Sequence, residues 1–336
     1  MKLLVTGGLG FIGSNFVRYM LNKYPDYRII NLDKMTYAGN PANLADIADN
    51  PHYSFVRGDI IDVQLVEKLI GEGCDAVVNF AAETHVDRSI ADAGGFITTD
   101  VYGTFVLLEA ARRHKIKRFI QISTDEVYGE AESEPCTENA PLNPKSPYAA
   151  SKAGADRLAF SYWATYQLPV IITRCSNNYG PYQYPEKMIP LFVTNALEDK
   201  PLPVYGDGQN TRDWIYVLEH NAAIDLLLHS SGLDGEVFNI GSGGEYSILQ
   251  IAGIILKVLG KTDRLICLVK DRPGHVRRHA VNTDKIRRVL NWQSQISFEQ
   301  ELEKTIRWYQ NNRSWWEPIK SGSYREYYRT HYGVEL

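Results

Sequence analysis

Two groups of side chains stand out for the chemistry they could do. In YAASK, Tyr148 and Lys152 lie four residues apart, so on a helix they share one face. A cation beside a phenol favours the phenolate and lowers its pKa from about 10, making a base that can take a proton from an alcohol as hydride leaves. The spacing alone is common, and Tyr19 with Lys23 repeats it. Tyr148 gains its weight from position, upstream of which stands the second group, Ser123-Thr124-Asp125-Glu126, closing an apolar run. A hydroxyl, two adjacent carboxylates and a tyrosine can do more than redox chemistry, because neighbouring carboxyls in unlike environments are held one as acid and one as base. The plainer alternative is a solvated loop whose Asp and Glu cap turns.

A third group suits an anion. Gly7-Gly8-Leu9-Gly10-Phe11-Ile12-Gly13 follows the first apolar run and opens a helical pattern. Glycines at 7, 10 and 13 permit a tight turn, a close approach of pyrophosphate to backbone, and close helix packing, while the helix N-terminus offers N–H groups and positive dipole. Asp33, 20 residues after Gly13 and at the end of the second run, is placed to accept from an adenosine ribose 2′-OH. That favours NAD over NADP. Lys34 argues the other way, since a cation there suits a 2′-phosphate, but Asp33 would repel that phosphate. Asp59, ending the third run, is placed either against the adenine edge or as a helix cap before Asp62.

These groups need a scaffold that gathers strand ends. Apolar runs at 3–6, 28–32, 53–56, 76–80, 119–123 and 170–173 read as strands buried on both faces. Helical spacing marks 13–23, 63–70, 96–114 and 148–166 between them. Strand-helix alternation implies an α/β fold, a Rossmann-type doubly wound parallel sheet. After Asn178 the texture changes to Pro-, Gly- and Tyr-rich stretches such as NNYGPYQYPEKMIP and PLPVYGDG, which suggest a smaller mixed α/β substrate-binding lobe. Helical patterns at 221–228 and 304–311 are expected to pack back on the first lobe. The dinucleotide-binding lobe then spans 1–180 with returning segments near 215–245 and 284–312, and the substrate lobe mainly 181–214 and 246–336.

Composition agrees with two lobes, since 336 residues exceed the roughly 100–200 of one domain. With 36 basic against 40 acidic residues, a net charge of -4 gives no field to gather nucleic acid or an anionic membrane. Cys74, Cys136, Cys175 and Cys267 lie far apart without a C-x-x-C, so neither a disulfide framework nor a zinc or other metal site is expected, and free thiols suit a reducing cytoplasm. MKLLVTGG is too short an apolar stretch for a signal core, and no run is long enough to span a membrane. Among 21 tyrosines, Tyr37, Tyr179, Tyr182 and Tyr205 fall near the candidate sites, whereas Tyr324, Tyr327, Tyr328 and Tyr332 in the tail are read as packing.

The segments TGGLGFIGSNF, LDKMTYAGNPANL, AAETHVDRSI, STDEVYGE, SPYAASKAGAD, RCSNNYGPYQYPEKMIP, YGDGQNTRDWIYV and DRPGHVRRH together resemble the extended short-chain dehydrogenase/reductases. They are most similar to the dTDP-glucose 4,6-dehydratases, over residues 1 to about 320. In that superfamily, UDP-galactose 4-epimerases lack the adjacent Asp-Glu, and UDP-glucuronate decarboxylases typically carry Ser where Asp125 stands. The chain departs from the common pattern at Asp100, often Asn; Val276, often Asp; His279, often Tyr; and Ser247, where some members place Asn.

The resemblance implies NAD on Gly7, Gly10, Phe11, Ile12, Gly13, Asp33, Lys34, Thr36, Asp59, Ile60, Ala81, Ala82, Thr84, Thr99, Tyr148, Lys152 and Asn178. It implies a nucleotide sugar held by Thr84, Thr124, Glu126, Asn177, Lys187, Met188, Pro203, Val204, Tyr205, Arg212, Asp271, Arg272 and His275, with Lys187, Arg212 and Arg272 suited to a diphosphate. The implied catalytic set is Thr124, Asp125, Glu126, Tyr148 and Lys152. Tyr148 takes the C4 hydroxyl proton as hydride leaves, Glu126 takes the C5 proton, and protonated Asp125 serves the departing C6 hydroxyl. The product is a 4-keto-6-deoxyhexose nucleotide, a precursor of deoxysugars such as rhamnose. His85 is read as structural because the tyrosine fills the base's role. A homodimer through the helices at 96–114 and 148–166 is implied as well. Other NAD-dependent nucleotide-sugar dehydratases, epimerases and decarboxylases share much of this machinery, and a silent NAD-binding scaffold would need none of the five catalytic groups as a set.

Overall fold

Five of the six apolar runs hide by becoming strands between two layers of helices. The computed structural model describes residues 1–321. The tail tyrosines Tyr324, Tyr327, Tyr328 and Tyr332 lie outside them. The first six strands are β1 (Lys2–Thr6), β2 (Arg28–Asp33), β3 (Tyr53–Arg57), β4 (Ala76–Asn79), β5 (Arg118–Thr124) and β6 (Val170–Cys175). They are followed by β7 (Asn177–Tyr179), β8 (Leu202–Tyr205), β9 (Thr211–Tyr216), β10 (Val237–Ile240), β11 (Glu245–Ser247), β12 (Ile266–Val269) and β13 (Arg278–His279).

Seven strands form one parallel sheet in the order β10-β6-β5-β4-β1-β2-β3. The order reverses between β1 and β4, and a doubly wound sheet opens a ligand crevice at the carboxyl ends of such a pair. Phe16, Met20 and Ile224 pack with Leu3 and Val5 on one side of the sheet, where the helices Phe11–Lys23 and Val217–His229 lie. Val66, Leu107 and Ala159 pack with Leu4 and Phe119 on the other, beneath the helices Val63–Gly71, Thr104–Arg113 and Pro147–Tyr166.

Two expectations change. β3 is not buried on both faces: as the sheet's edge it leaves Ser54, Phe55 and Arg57 exposed. The segment expected as one regular helix at 96–114 is π-helical over Ile97–Gly103, between α-helical Gly94–Phe96 and Thr104–Arg113. A π-turn re-aims the side chains it carries, and Thr99 and Asp100 are buried at this one.

A second core gathers Phe192, Val204, Trp214, Ile251, Leu302 and Trp316. Around it β9 pairs with β11 and β13 at its start and with β7 at its end, while β8 and β12 form a separate parallel pair. The helix Phe298–Asn311 belongs here and does not return to the large sheet. Its apolar face, Phe298, Leu302, Ile306 and Tyr309, packs on the helices Met188–Leu197 and Ile248–Leu259. Ile286 and Trp292, just before it, do join the first core. No helix among the described residues is long and apolar enough to cross a membrane.

The turn after β1 is sterically closed to larger residues. Gly7 sits at φ +67°, and a Cβ there would lie 2.7 Å from the Ala81 amide nitrogen. Gly7→Ala is therefore expected to lower the unfolding free energy by about 2–4 kcal/mol, read by denaturant titration.

Candidate active site

The glycine loop leads β1 into a helix whose N-terminus is left open. Gly10 caps Phe11–Lys23 with extended backbone and no capping side chain, whereas Asp62 and Ser146 cap the helices at Val63–Gly71 and Pro147–Tyr166. The first-turn N–H groups thus face the crevice ready for an anion. A Cβ on Gly13 would lie 2.4 Å from the Gly7 carbonyl oxygen, which forces glycine there. One on Gly10 would meet only that oxygen, at 3.2 Å, and would occupy crevice space.

Asp33 ends β2 and accepts from the N–H groups of Leu9 (3.0 Å) and Met35 (2.8 Å). Burial raises its pKa, and those two bonds oppose the rise. A carboxylate has further acceptor positions for a ribose hydroxyl. Lys34 is paired with Asp59, Nζ to Oδ2 3.1 Å, so its charge is already matched. Asp62, not Asp59, caps the following helix, and Asp59 accepts from the Ile61 N–H at 3.2 Å. This open helix end, glycine cradle and acidic acceptor fit a dinucleotide with a free ribose 2′-hydroxyl. Thr36, Ile60, Ala81, Ala82, Thr84, Thr99, Asn177 and Asn178 line the same crevice.

At the end of β5 the chain makes a short 3₁₀ turn, Asp125–Tyr128. Thr124 caps it: its Oγ1 accepts from the Glu126 N–H at 3.3 Å and donates to Asp125 Oδ1 at 3.2 Å. Asp125 is only 3% exposed, which rules out the solvated-loop alternative. Its Oδ2 is buried without a hydrogen-bond partner. Burial, then Glu126 and Asp213, push Asp125 up to about 8, against the pull of Arg212. Glu126 is half-buried and also raised by burial, but Arg272, Arg212 and Lys187 oppose the rise. One carboxyl is therefore kept protonated, and its neighbour faces cations.

Tyr148 and Lys152 enter from the Pro147–Tyr166 helix, which Ser146 caps through the Ala149 N–H at 3.1 Å. The lysine differs from the sequence reading. Its buried Nζ donates to the Ile122 carbonyl at 2.7 Å. The Tyr148 phenol lies well above its ordinary pKa rather than below it, because burial and then Glu126, Cys175, Asp100 and Asp125 disfavour its anion. Burial lowers Lys152, and Asp100 foremost opposes that.

The second lobe supplies the cations. Lys187 donates to Thr84 Oγ1 at 3.0 Å, and burial lowers its pKa against Glu186 and Glu126. Arg212, on β9, gives its guanidinium to the carbonyls of Thr211, Val276 and Arg277, and burial pulls it down to about 10. Arg272 meets Asp87 at 3.3 Å and lies 5.7 Å over the Tyr205 ring; His275 bonds Asp271 at 2.6 Å. Two implied substrate contacts are limited by their packing. The Val204 side chain is wholly buried in the second core, leaving only backbone to offer, and Met188 packs against the same core. Pro203 is buried beside Val204.

Over this geometry the chain matches the family model described as GDP-mannose 4,6 dehydratase across residues 4–305. A dTDP-glucose 4,6-dehydratase of Streptomyces niveus is 50% identical over 325 residues, covering 96% of each chain. The chain belongs to the dTDP-glucose 4,6-dehydratase family. Within that family, the crystal structure of the Streptomyces venezuelae dehydratase with NAD and TYD bound superposes at a TM-score of 0.93, with 51% identity over 95% of this chain and all of that one. The Bacillus anthracis dehydratase in complex with NAD gives 0.89, with 51% identity and the same coverage.

The sequence reading misses Asp87 and the part Asp100 plays at the site, whereas it already names His85 as structural. Asp100 accepts from Ser151 Oγ (2.6 Å) and the Glu83 N–H (2.9 Å), and burial pushes it up to about 6. It is the carboxylate nearest in effect to Lys152, and a helical aspartate gives no local sign of this. Asp87 receives the Tyr205 hydroxyl and Arg272, both at 3.3 Å, so it joins the lobes. His85, at φ +101°, is pushed down to about 4 by burial and Lys187, so its ring is neutral near pH 7. Among the described residues no three His, Cys, Asp or Glu side chains converge on a metal position.

Asp125 has a thermodynamic consequence. A carboxyl whose folded pKa is raised favours folding at low pH and loses that advantage as pH climbs from its unfolded value, near 4, to its folded one, about 8. Asp125→Asn should thus be more stable than the parent at pH 8 by about 1–3 kcal/mol, and the gap should shrink toward pH 4 in urea titrations.

Proposed function

We propose that the chain converts dTDP-glucose to dTDP-4-keto-6-deoxyglucose and water with tightly held NAD, as a hydro-lyase. The observation that carries this reading is the buried Asp125, its carboxyl pushed up to about 8 by burial, beside a Glu126 faced by cations and with Tyr148 lining the same crevice. Oxidation alone, or epimerisation, has no use for a second acid and base. When bound, NAD would supply a two-electron acceptor at C4 that returns its electrons at C6, and while oxidised it would bring positive charge to a crevice where burial, and then the carboxylates, disfavour the Tyr148 phenolate.

Tyr148, as the phenolate that the positive charge of oxidised NAD would favour, receives the C4 hydroxyl proton, and Thr124 Oγ1 holds that oxygen. The resulting ketone acidifies C5. Glu126 removes the C5 proton, and Asp125 gives its proton to the departing C6 hydroxyl, so water leaves and a C5–C6 double bond forms. Glu126 then returns a proton to C5 as C6 is reduced. Lys187, Arg212 and Arg272 form the cationic end that suits a diphosphate. On this reading residues 1–180 with 215–245 hold the cofactor, and the second lobe holds the nucleotide. Free cysteines at 74, 136, 175 and 267 fit a reducing cytoplasm.

In D₂O the product should carry one deuteron at C5 by NMR, whereas an epimerase would leave carbon unlabelled. Tyr148→Phe should slow turnover by about 10²–10⁴-fold. Unlabelled product or undiminished Tyr148→Phe activity sinks the reading. A homodimer is part of it, since Ile97, Tyr102, Phe105 and Tyr166 are exposed on the two helices proposed to pair. Tyr102→Glu with Phe105→Glu should shift the light-scattering mass from dimer to monomer.

A further inference from the structure

Behind the crevice one buried side chain reaches the supports of both catalytic groups. Arg174, on β6 and 2% exposed, donates from Nε to Asp156 Oδ2 at 2.8 Å and from Nη2 to Oδ1 at 3.0 Å. Asp156 follows Lys152 by four residues and Tyr148 by eight on the Pro147–Tyr166 helix, so all three share a face. The third arm of the guanidinium, Nη1, donates to the Tyr128 hydroxyl at 2.8 Å and to the Glu138 carbonyl at 3.2 Å. Tyr128 is the last residue of the 3₁₀ turn that presents Asp125 and Glu126. Its hydroxyl donates onward to Asn239 Oδ1, 2.8 Å away on β10. Asn239 is itself fixed by the Cys136 carbonyl at 2.8 Å and Glu138 Oε1 at 3.0 Å.

A four-residue 3₁₀ turn has few and poorly aligned bonds of its own, so its placement must come from outside. Here that comes from two further strands, because β6 lies beside β5 in the sheet and β10 beside β6. A buried ion pair adds little net stability, since desolvation offsets the attraction, but it does fix geometry. The geometry matters here because a proton donor misplaced by about an ångström loses much of its rate.

We infer that Arg174 is a positioning residue that holds the Tyr148–Lys152 helix and the Asp125–Glu126 turn in one relation, through Asp156 and Tyr128 respectively. The Tyr128 hydroxyl is the branch that serves elimination and not C4 oxidation. This rests on the dehydratase reading above.

The test uses NAD-loaded protein in a single turnover with dTDP-glucose, following reduced-cofactor absorbance and quenched sugar products. Tyr128→Phe, which deletes one hydroxyl, should leave cofactor reduction at the parent rate and slow loss of water about tenfold or more, so the undehydrated 4-keto sugar accumulates. Arg174→Lys, which loses the two-armed grip, should slow both steps. Amide exchange of Glu126 and Gly129 in the substrate-free protein should quicken in Tyr128→Phe while the 147–166 helix is unchanged. Equal slowing of both steps by Tyr128→Phe, slowing of neither, or unchanged exchange in the turn overturns the assignment, whether or not Arg174→Lys folds. A parent protein that forms no 4-keto sugar overturns the dehydratase reading instead, and the exchange measurement still judges the positioning role.

Discussion

Two carboxyl groups side by side in a buried crevice resist carrying charge together, and the surroundings of residues 125 and 126 make them unlike. Asp125 turns away from water with one oxygen unbonded. Glu126 feels three cations, all from the second lobe: Arg212 on β9, Arg272 after β12 and Lys187 before the Met188–Leu197 helix. The large sheet brings the two carboxyls to the crevice, and the smaller lobe makes them unlike. Acid and base therefore exist as a pair only where the lobes meet.

The lobes are clasped by the segment that follows β4. Thr84 receives Lys187, Asp87 receives Tyr205 and Arg272, and Arg88 pairs with Glu186 at 2.9 Å. The same segment lies at the reversal of strand order, beside the glycine loop, where Ala81 crowds Gly7. One stretch of chain thus touches the dinucleotide side and the sugar side of the crevice. The left-handed backbone at His85 is held within it, and strain of that kind persists only where neighbouring contacts over-determine the conformation.

Much of the frame was legible because it is written in local periods. Apolar runs and helical spacing mark the first six strands of the sheet and the four longer helical segments between them to within a residue or two, though not the short helix Val86–Ala91, and the glycine loop with Asp33 marks one binding end. The edge exposure of β3, the π-helical turn at Thr99 and Asp100, and the docking of Phe298–Asn311 on the second core were not legible. Each depends on a neighbour remote in the chain: a missing strand beyond β3, the residues packed around Asp100, and the apolar faces of two helices that come earlier.

The chain by itself determined which chemical groups stand at strand ends, because turn glycines, caps and periodicity are properties of adjacent residues. It determined the family through those same segments. Tertiary structure alone decided their states. The protonated forms of Asp125 and Tyr148 are favoured by burial, and Lys152 bonds a carbonyl. Burial and the charge of groups from distant strands set each of these, and neither exists until the sheet has brought those strands together.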